Sequence, residues 1–323
     1  MSENLDELFL EATREGATRL LDNHLERRHD WTVDEIRQKH DYPRLLHEVH
    51  TRIVNGQPYE FPEGIKVGLV ITLLTENGII YYPRDVGKIF NPSDKRPSDS
   101  DPHEMFTRIW PTEEFPHGEG LRDSLYLTGY DMSRLEEDRK AFQHSGLVPR
   151  PDDTASGVAY TGTQELSTNK PYRNIRKLLR ETIDQTDDEL VRDVCEFIYD
   201  IVGHVGKDER LHAAFINGNA ELALLTRDKK LVSFMLQGYA NTVIDFYMPG
   251  KGGIPNFRRL QVEAARNKIF TPQDVAEIKL SQYRKTLQLV GNTALTQEGN
   301  VAQLEIVQDM EKITDKYPDL LAA

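Results

Sequence analysis

Two groups of basic residues are the first places in this 323-residue sequence where residue type and spacing suggest chemistry. In NKPYRNIRKLLR, positions 173, 176/177 and 180 share one face of a helix, with Lys170 just before them. Further on, KGGIPNFRRLQVEAARNKIF places five basic residues against a single Glu263. Cationic side chains grouped in this way can hold a phosphate backbone or an acidic partner. The expected nucleic-acid or anion contacts are therefore Lys170, Arg173, Arg176, Lys177, Arg180, Lys251, Arg258 and Arg259. The turn PGKGG, residues 249–253, could offer backbone donors to an anion, yet it lacks the G-x-x-x-x-G-K-[ST] spacing of a nucleotide-binding loop.

The string VAEIKL, residues 275–280, carries a second chemistry. In a strand, Glu277 and Lys279 would face the same way, one holding a divalent metal and the other steadying charge on an attacked phosphate. Asp245, in the apolar run TVIDFYM, would supply the second carboxylate. The pattern resembles a core strand of nucleases of the restriction-endonuclease group, and that resemblance implies a Mg- or Mn-dependent cleavage. Local signals oppose it: Thr271, Pro272 and Asp274 provide a capping hydroxyl, an N1 proline and an acidic N3 residue, which together start a helix. In a helix, residues 277 and 279 point about 200° apart.

Histidine offers no recognised ligand spacing. His47 and His50 stand three apart on a predicted helix, His24, His29 and His40 could join them only through tertiary folding, and His204 and His212 flank Asp208 and Glu209. None of these contains H-E-x-x-H, so surface or partly buried histidines and no metal ligand are expected. Cys195, the only cysteine, reads as a small buried hydrophobe beside an apolar stripe. G-x-S-x-G is absent, which leaves no nucleophile elbow.

The elements that must position these groups divide the chain in two. Residues 1–145 read as a mixed, acidic region: a helix from Leu5 to Arg27, a capping box at Thr32 and Glu35, and a third helix after Pro43. Lys66–Leu74 and Ile79–Tyr82 flank Asn77-Gly78 and predict a β-hairpin, which gives residues 1–83 a winged-helix-like order. Residues 91–120, with five prolines, predict irregular structure tied down by Phe106, Ile109, Trp110 and Phe115. Residues 146–170 read as a Gly, Ser, Thr and Pro loop or linker, and 171–323 as a helical-bundle-like domain. The fold class is accordingly α+β, predominantly helical.

Composition narrows the function. The formal charge is −13, and nearly all of the excess acid lies in residues 1–165, which hold 31 acidic and 19 basic residues. Such a balance favours solubility and opposes unassisted attraction to nucleic acid or anionic membrane. One cysteine, no N-terminal apolar segment and no 18-residue apolar run predict a cytoplasmic setting without disulfides, secretory signal or membrane span. The sequence thus points to a non-enzymatic interaction or accessory protein acting through helical surfaces in a nucleic-acid-associated assembly, with a protein partner or self-association and no cofactor. The alternative is a metal-dependent nuclease using Asp245, Glu277 and Lys279, with Mg or Mn.

Overall fold

The computed structural model describes residues 4–79, 90, 100–133, 135–137, 140, 153–246 and 257–321. Short polar side chains start most of its helices by accepting hydrogen bonds from the free N–H groups of the first turn. Asp101, Asp153, Asp188 and Asp228 do this for four of them, and Thr32 with Glu35 and Thr271 with Asp274 close full capping boxes. The helices are α1 (Leu5–Arg27), α2 (Val33–Lys39), α3 (Tyr42–Val54), α4 (Glu63–Ile79), α5 (Pro102–Leu127) and α6 (Thr154–Gln185). They continue with α7 (Glu189–Leu225), α8 (Lys229–Thr242), α9 (Phe257–Arg266), α10 (Pro272–Val290) and α11 (Gln297–Lys316), and a short 3-10 turn spans Pro318–Leu321. No strand occurs among the described residues, so the α+β class and the β-hairpin are corrected to an all-helical architecture.

The hairpin fails for a physical reason. Ile65, Val67, Leu69, Val70, Ile71, Leu73 and Leu74 are all buried, and α4 is enclosed on every side from Val67 to Glu76. A helix apolar all round has no periodic stripe to distinguish it from a buried strand, and tertiary burial overrides the β-branched content. Asn77 and Gly78 lie within the last turn of α4 rather than in a reverse turn, and residues 80–82 lie outside the described residues. Residues 102–120, expected to be irregular, belong to α5 despite Pro111 and Pro116 inside it. Burial of Phe106, Trp110, Leu121 and Leu125 outweighs the two missing backbone donors. Phe115, expected to anchor this stretch, is 78% exposed.

Residues 154–170, read as a loop, form the first half of α6, while 146–152 lie outside the described residues. Their polar side chains turn inward. Thr163 and Ser167 donate to the carbonyls one turn back at 2.7 and 2.8 Å, which satisfies a buried hydroxyl without leaving the helix. Asn169 donates across to the Gly206 carbonyl of α7 at 2.6 Å.

The three long helices α5, α6 and α7 share one plan. Each has an apolar stretch in a first core (Phe106 and Trp110; Ala155 to Tyr160; Phe215 to Leu224) and another in a second core (Leu121 and Leu125; Tyr172 to Leu179; Leu190 to Val205). Between the two cores each helix carries a buried polar stretch, and the three stretches meet. At 1.5 Å per residue the 37-residue α7 runs about 55 Å, enough to cross both cores and the polar layer between them.

Close contact between α8 and the start of α6 depends on Gly238. A Cβ there would come 2.5 Å from the Ala155 carbonyl carbon and 2.6 Å from its oxygen. Backbone cannot swing aside as a side chain can, so Gly238→Ala is expected to destabilise the protein by roughly 1–3 kcal/mol in urea unfolding. A midpoint unchanged from the parent would show that the two helices can separate freely.

Candidate metal centre

Six side chains converge in the polar layer, and four helices supply them. Glu76 comes from the last turns of α4 and Glu165 from the middle of α6. Glu114 and His117 come from α5, and Glu209 and His212 from α7, each pair three residues apart and so on one helix face. Their ligand atoms form two overlapping groups, Glu76, Glu114, His117 and Glu209, and Glu114, Glu165, Glu209 and His212; within each group the atoms lie within 4.8 Å of one another. Glu114 and Glu209 belong to both groups, so each would be within reach of two ions if one were held in each group. His117 Nδ1 lies 2.8 Å from Glu114 Oε2 and 3.5 Å from Glu76 Oε2. His212 Nδ1 lies 2.9 Å from Glu114 Oε1 and 3.5 Å from Glu165 Oε2.

The hydrogen bonds around these residues all point outward. Tyr172 donates to Glu76, Trp110 Nε1 to Glu114 Oε1 at 2.7 Å, and Thr168 to Glu209. His117 Nε2 faces Asp208 Oδ2 at 3.2 Å and His212 Nε2 faces Glu113 Oε2 at 3.0 Å. A carboxylate only accepts, so Nε2 carries the proton on both rings, and Nδ1 is the nitrogen that would be left to bind a cation. What remains is one inward atom per residue without a hydrogen bond: Glu76 Oε2, Glu114 Oε2, His117 Nδ1, Glu165 Oε2, Glu209 Oε1 and His212 Nδ1. Buried polar atoms are rarely left unpaired, and six aimed at one space fit a metal centre.

Charge gives the same answer. Burial pushes the Glu76 carboxyl up to about 7, and burial followed by repulsion from Glu165, Glu76 and Glu114 pushes Glu209 well above the usual range. Four carboxylates cannot all ionise in a dry space unaided, whereas two divalent cations balance them with both imidazoles neutral.

The supporting residues cross over. Asp208, which precedes Glu209 on α7, holds His117 of α5, and Glu113, which precedes Glu114 on α5, holds His212 of α7. Asp208 is fixed in turn by Trp31 Nε1 at 2.8 Å, and Glu113 by His24 at 2.9 Å. Burial pushes the Glu113 carboxyl up, but its two histidine partners outweigh burial and hold it down at about 2. Carboxylates of this kind orient a ligating imidazole and raise its basicity.

None of these six ligands was expected as a metal ligand from sequence, and the expectation of no cofactor, or of Mg or Mn at a nuclease site, is corrected by this cluster. The readable signal was a repeat: EEFPH at 113–117 and DERLH at 208–212 share acid-acid-x-x-His. Of the other histidines, His47 and His50 are exposed, and Cys195 is buried as expected. Residues 275–280 lie in α10, so Glu277 and Lys279 diverge. Glu277 is exposed and pairs with Lys170 at 2.8 Å, Lys279 is buried against Asp309 at 2.8 Å, and Asp245 is exposed beyond the end of α8. Arg173, Arg176, Lys177 and Arg180 line one cleft of α6 and α7; Arg258 lines a separate cavity, Arg259 is 3.5 Å from Glu263, and Lys251 lies outside the described residues.

Two helices giving one Glu each and two giving Glu-x-x-His define the class: a helical-bundle protein with a dinuclear carboxylate-bridged metal centre, the donor set of the di-iron and di-manganese carboxylate proteins. A family model described as fatty acid desaturase matches residues 9–319, and the chain belongs to that family. It is 26% identical over 251 residues to the chloroplastic stearoyl-[acyl-carrier-protein] 9-desaturase of Gossypium hirsutum, covering 76% of this chain and 59% of that protein. With the chloroplastic acyl-[acyl-carrier-protein] desaturase of Cucumis sativus it shares 26% over 262 residues, 80% of this chain and 63% of that one. The matched region thus spans about three fifths of the length of these curated relatives. An X-ray structure of DesA2 from Mycobacterium tuberculosis H37Rv, assigned as an acyl-ACP desaturase, has the same fold, with a TM-score of 0.57 at 16% identity over 88% of this chain and 96% of that one.

These findings overturn the reading of a non-enzymatic, nucleic-acid-associated accessory protein, since the chain belongs to a family of fatty acid desaturases and carries a buried cluster fit to hold metal. Nucleic acid has no support as a partner. The cytoplasmic expectation is also withdrawn, because the curated relatives are chloroplastic. No helix among the described residues is long and apolar enough to cross a membrane.

Anaerobic titration with ferrous iron, followed by metal analysis of the desalted protein, should give two ions per chain. Glu114→Ala, which removes a ligand of both groups, should lose most of both. Asp208→Asn and Glu113→Gln should each keep the fold and weaken metal affinity by roughly 10–100-fold, the usual cost of losing a carboxylate behind a ligating histidine. Two tightly held ions in Glu114→Ala would show that the centre lies elsewhere.

Proposed function

We propose that this chain is a di-iron acyl desaturase that removes two hydrogens from a saturated acyl chain presented on an acyl carrier protein. The observation that carries the reading is the set of six inward atoms, doubly shared at Glu114 and Glu209, in a chain of the fatty acid desaturase family. The substrate and the carrier come from the names of the relatives, which are acyl-[acyl-carrier-protein] desaturases. Iron bound here would activate dioxygen, which provides the oxidising power that breaking two unactivated C–H bonds requires.

The chain's own residues prepare the site for that chemistry. Glu76, Glu114, Glu165 and Glu209 supply the hard, anionic oxygen donors suited to iron, and His117 and His212 the neutral nitrogens. Asp208 and Glu113 hold the imidazoles with Nδ1 turned inward, while Trp110, Tyr172 and Thr168 fix the carboxylate rotamers by bonding their outer oxygens. Apolar cores on both sides keep bulk water from the site, which protects a strong oxidant from side reactions. Reducing dioxygen to two waters takes four electrons; the two C–H bonds give two, and an external reductant must deliver the others together with two protons.

The direct test supplies iron-loaded protein with a saturated acyl-acyl carrier protein, dioxygen and a one-electron reductant, then analyses the released acyl chains by mass spectrometry. A product two hydrogens lighter, dependent on both dioxygen and reductant, is expected. Glu114→Ala should abolish it, whereas Glu277→Ala, at an exposed ion pair, should leave it unchanged. Iron-loaded protein that yields no unsaturated product across a series of acyl chain lengths would overturn the assignment.

A further inference from the structure

One concentration of charge is not used by the metal centre. Arg173, Arg176 and Arg180 on α6 and Arg210 on α7 stand around a cleft of about 470 Å³, with Tyr199 and Gly203 on its wall. In a chain of net charge −13 several arginines have found carboxylates, for example Arg14, Arg37, Arg44 and Arg52. These four form no ion pair among the described residues, and Glu181, the acidic residue on the wall, lies 3.9 Å from Lys177 instead. The Arg176 guanidinium stacks 4.2 Å from the centre of the Tyr199 ring, and its Nε is buried without a hydrogen-bond partner. Like charges thus stand together here, and the Tyr199 ring, against which Arg176 and Arg180 both lie, offsets only part of their repulsion.

The arrangement is a concavity, not a stripe. Its volume is that of a small-molecule site, and Arg173 to Arg180 extends along about 10 Å of helix, the reach of a short run of phosphoryl groups. Guanidinium forks match phosphate oxygens in pairs, and a flexible acidic peptide would gain less from a cleft this size. We propose that this cleft binds a small anion carrying two or more phosphoryl groups, held by Arg173, Arg176, Arg180 and Arg210. Inorganic pyrophosphate and a nucleoside triphosphate share that chemistry and separate its two sources. The site lies outside the metal ligands and does not depend on the desaturase reading.

The test is isothermal titration of the full-length, iron-loaded protein with pyrophosphate and, separately, with ATP, against inorganic phosphate at matched ionic strength. Saturable binding of one equivalent is expected, tighter for pyrophosphate or ATP than for phosphate. Tighter binding of ATP than of pyrophosphate would identify a nucleotide site, and equal binding a site for the phosphoryl groups alone. The double variant Arg176→Gln, Arg180→Gln should lose roughly tenfold or more in affinity, since two charge-assisted contacts go with it. Circular dichroism and iron content unchanged in that variant will show an intact fold, and Arg258→Gln, in the separate cavity, should bind as the parent does. No saturable binding of either probe, or unchanged affinity in the double variant, overturns the proposal. Capture of an acidic protein through the same arginines with no binding of either probe would overturn it in favour of a docking face.

Discussion

Four glutamates buried within reach of one another constrain everything else in this molecule. Their mutual repulsion and desolvation would disrupt the bundle unless cations balanced them, so the helices have to be held in register by interactions strong enough to keep the cluster assembled. The crossed supports do this. Because Asp208 on α7 grips His117 on α5 while Glu113 on α5 grips His212 on α7, neither helix can rotate or slide without breaking a contact on the other. Large apolar contacts on both sides of the polar layer supply the stabilisation that the layer itself lacks.

Helix starts were the most legible part of the sequence. The capping signals at Thr32–Glu35 and Thr271–Asp274 depend only on neighbours in the chain, and both form as the residues suggest. The second of them already argued against a strand at Glu277 and Lys279. Segments whose structure depends on distant partners were misread. In α4 the burial of every residue from Val67 to Glu76 erased the contrast between an inner and an outer face, and in α6 the buried polar layer demanded the Ser, Thr, Gly and Asn content that an exposed loop would also have. The same composition serves solvent in one case and a metal centre in the other, and nothing local tells them apart.

The centre itself was written more plainly than its surroundings. EEFPH and DERLH repeat one pattern ninety-five positions apart, but each alone is weak, and a search framed around H-E-x-x-H passes over both. Glu76 and Glu165 had no signal of any kind, since a lone glutamate in a helix is ordinarily a surface residue. Only packing shows that both are turned inward. The basic face of α6 was legible as a set of residues, but its partner from α7, Arg210, and the concavity between them belong to tertiary structure.

Consecutive helices divide the ligands evenly. The pair α4 and α5 gives Glu76 and then Glu114 with His117; the pair α6 and α7 gives Glu165 and then Glu209 with His212. Each pair would bring two donors to one ion, with its motif glutamate within reach of both. Such an arrangement is what duplication and fusion of a two-helix hairpin would leave behind: a single ancestral hairpin, paired with its own copy, already holds a complete ligand set. What stands behind the two halves differs, Trp31 behind Asp208 on one side and His24 behind Glu113 on the other, so unequal behaviour of two bound ions would originate outside the ligands themselves.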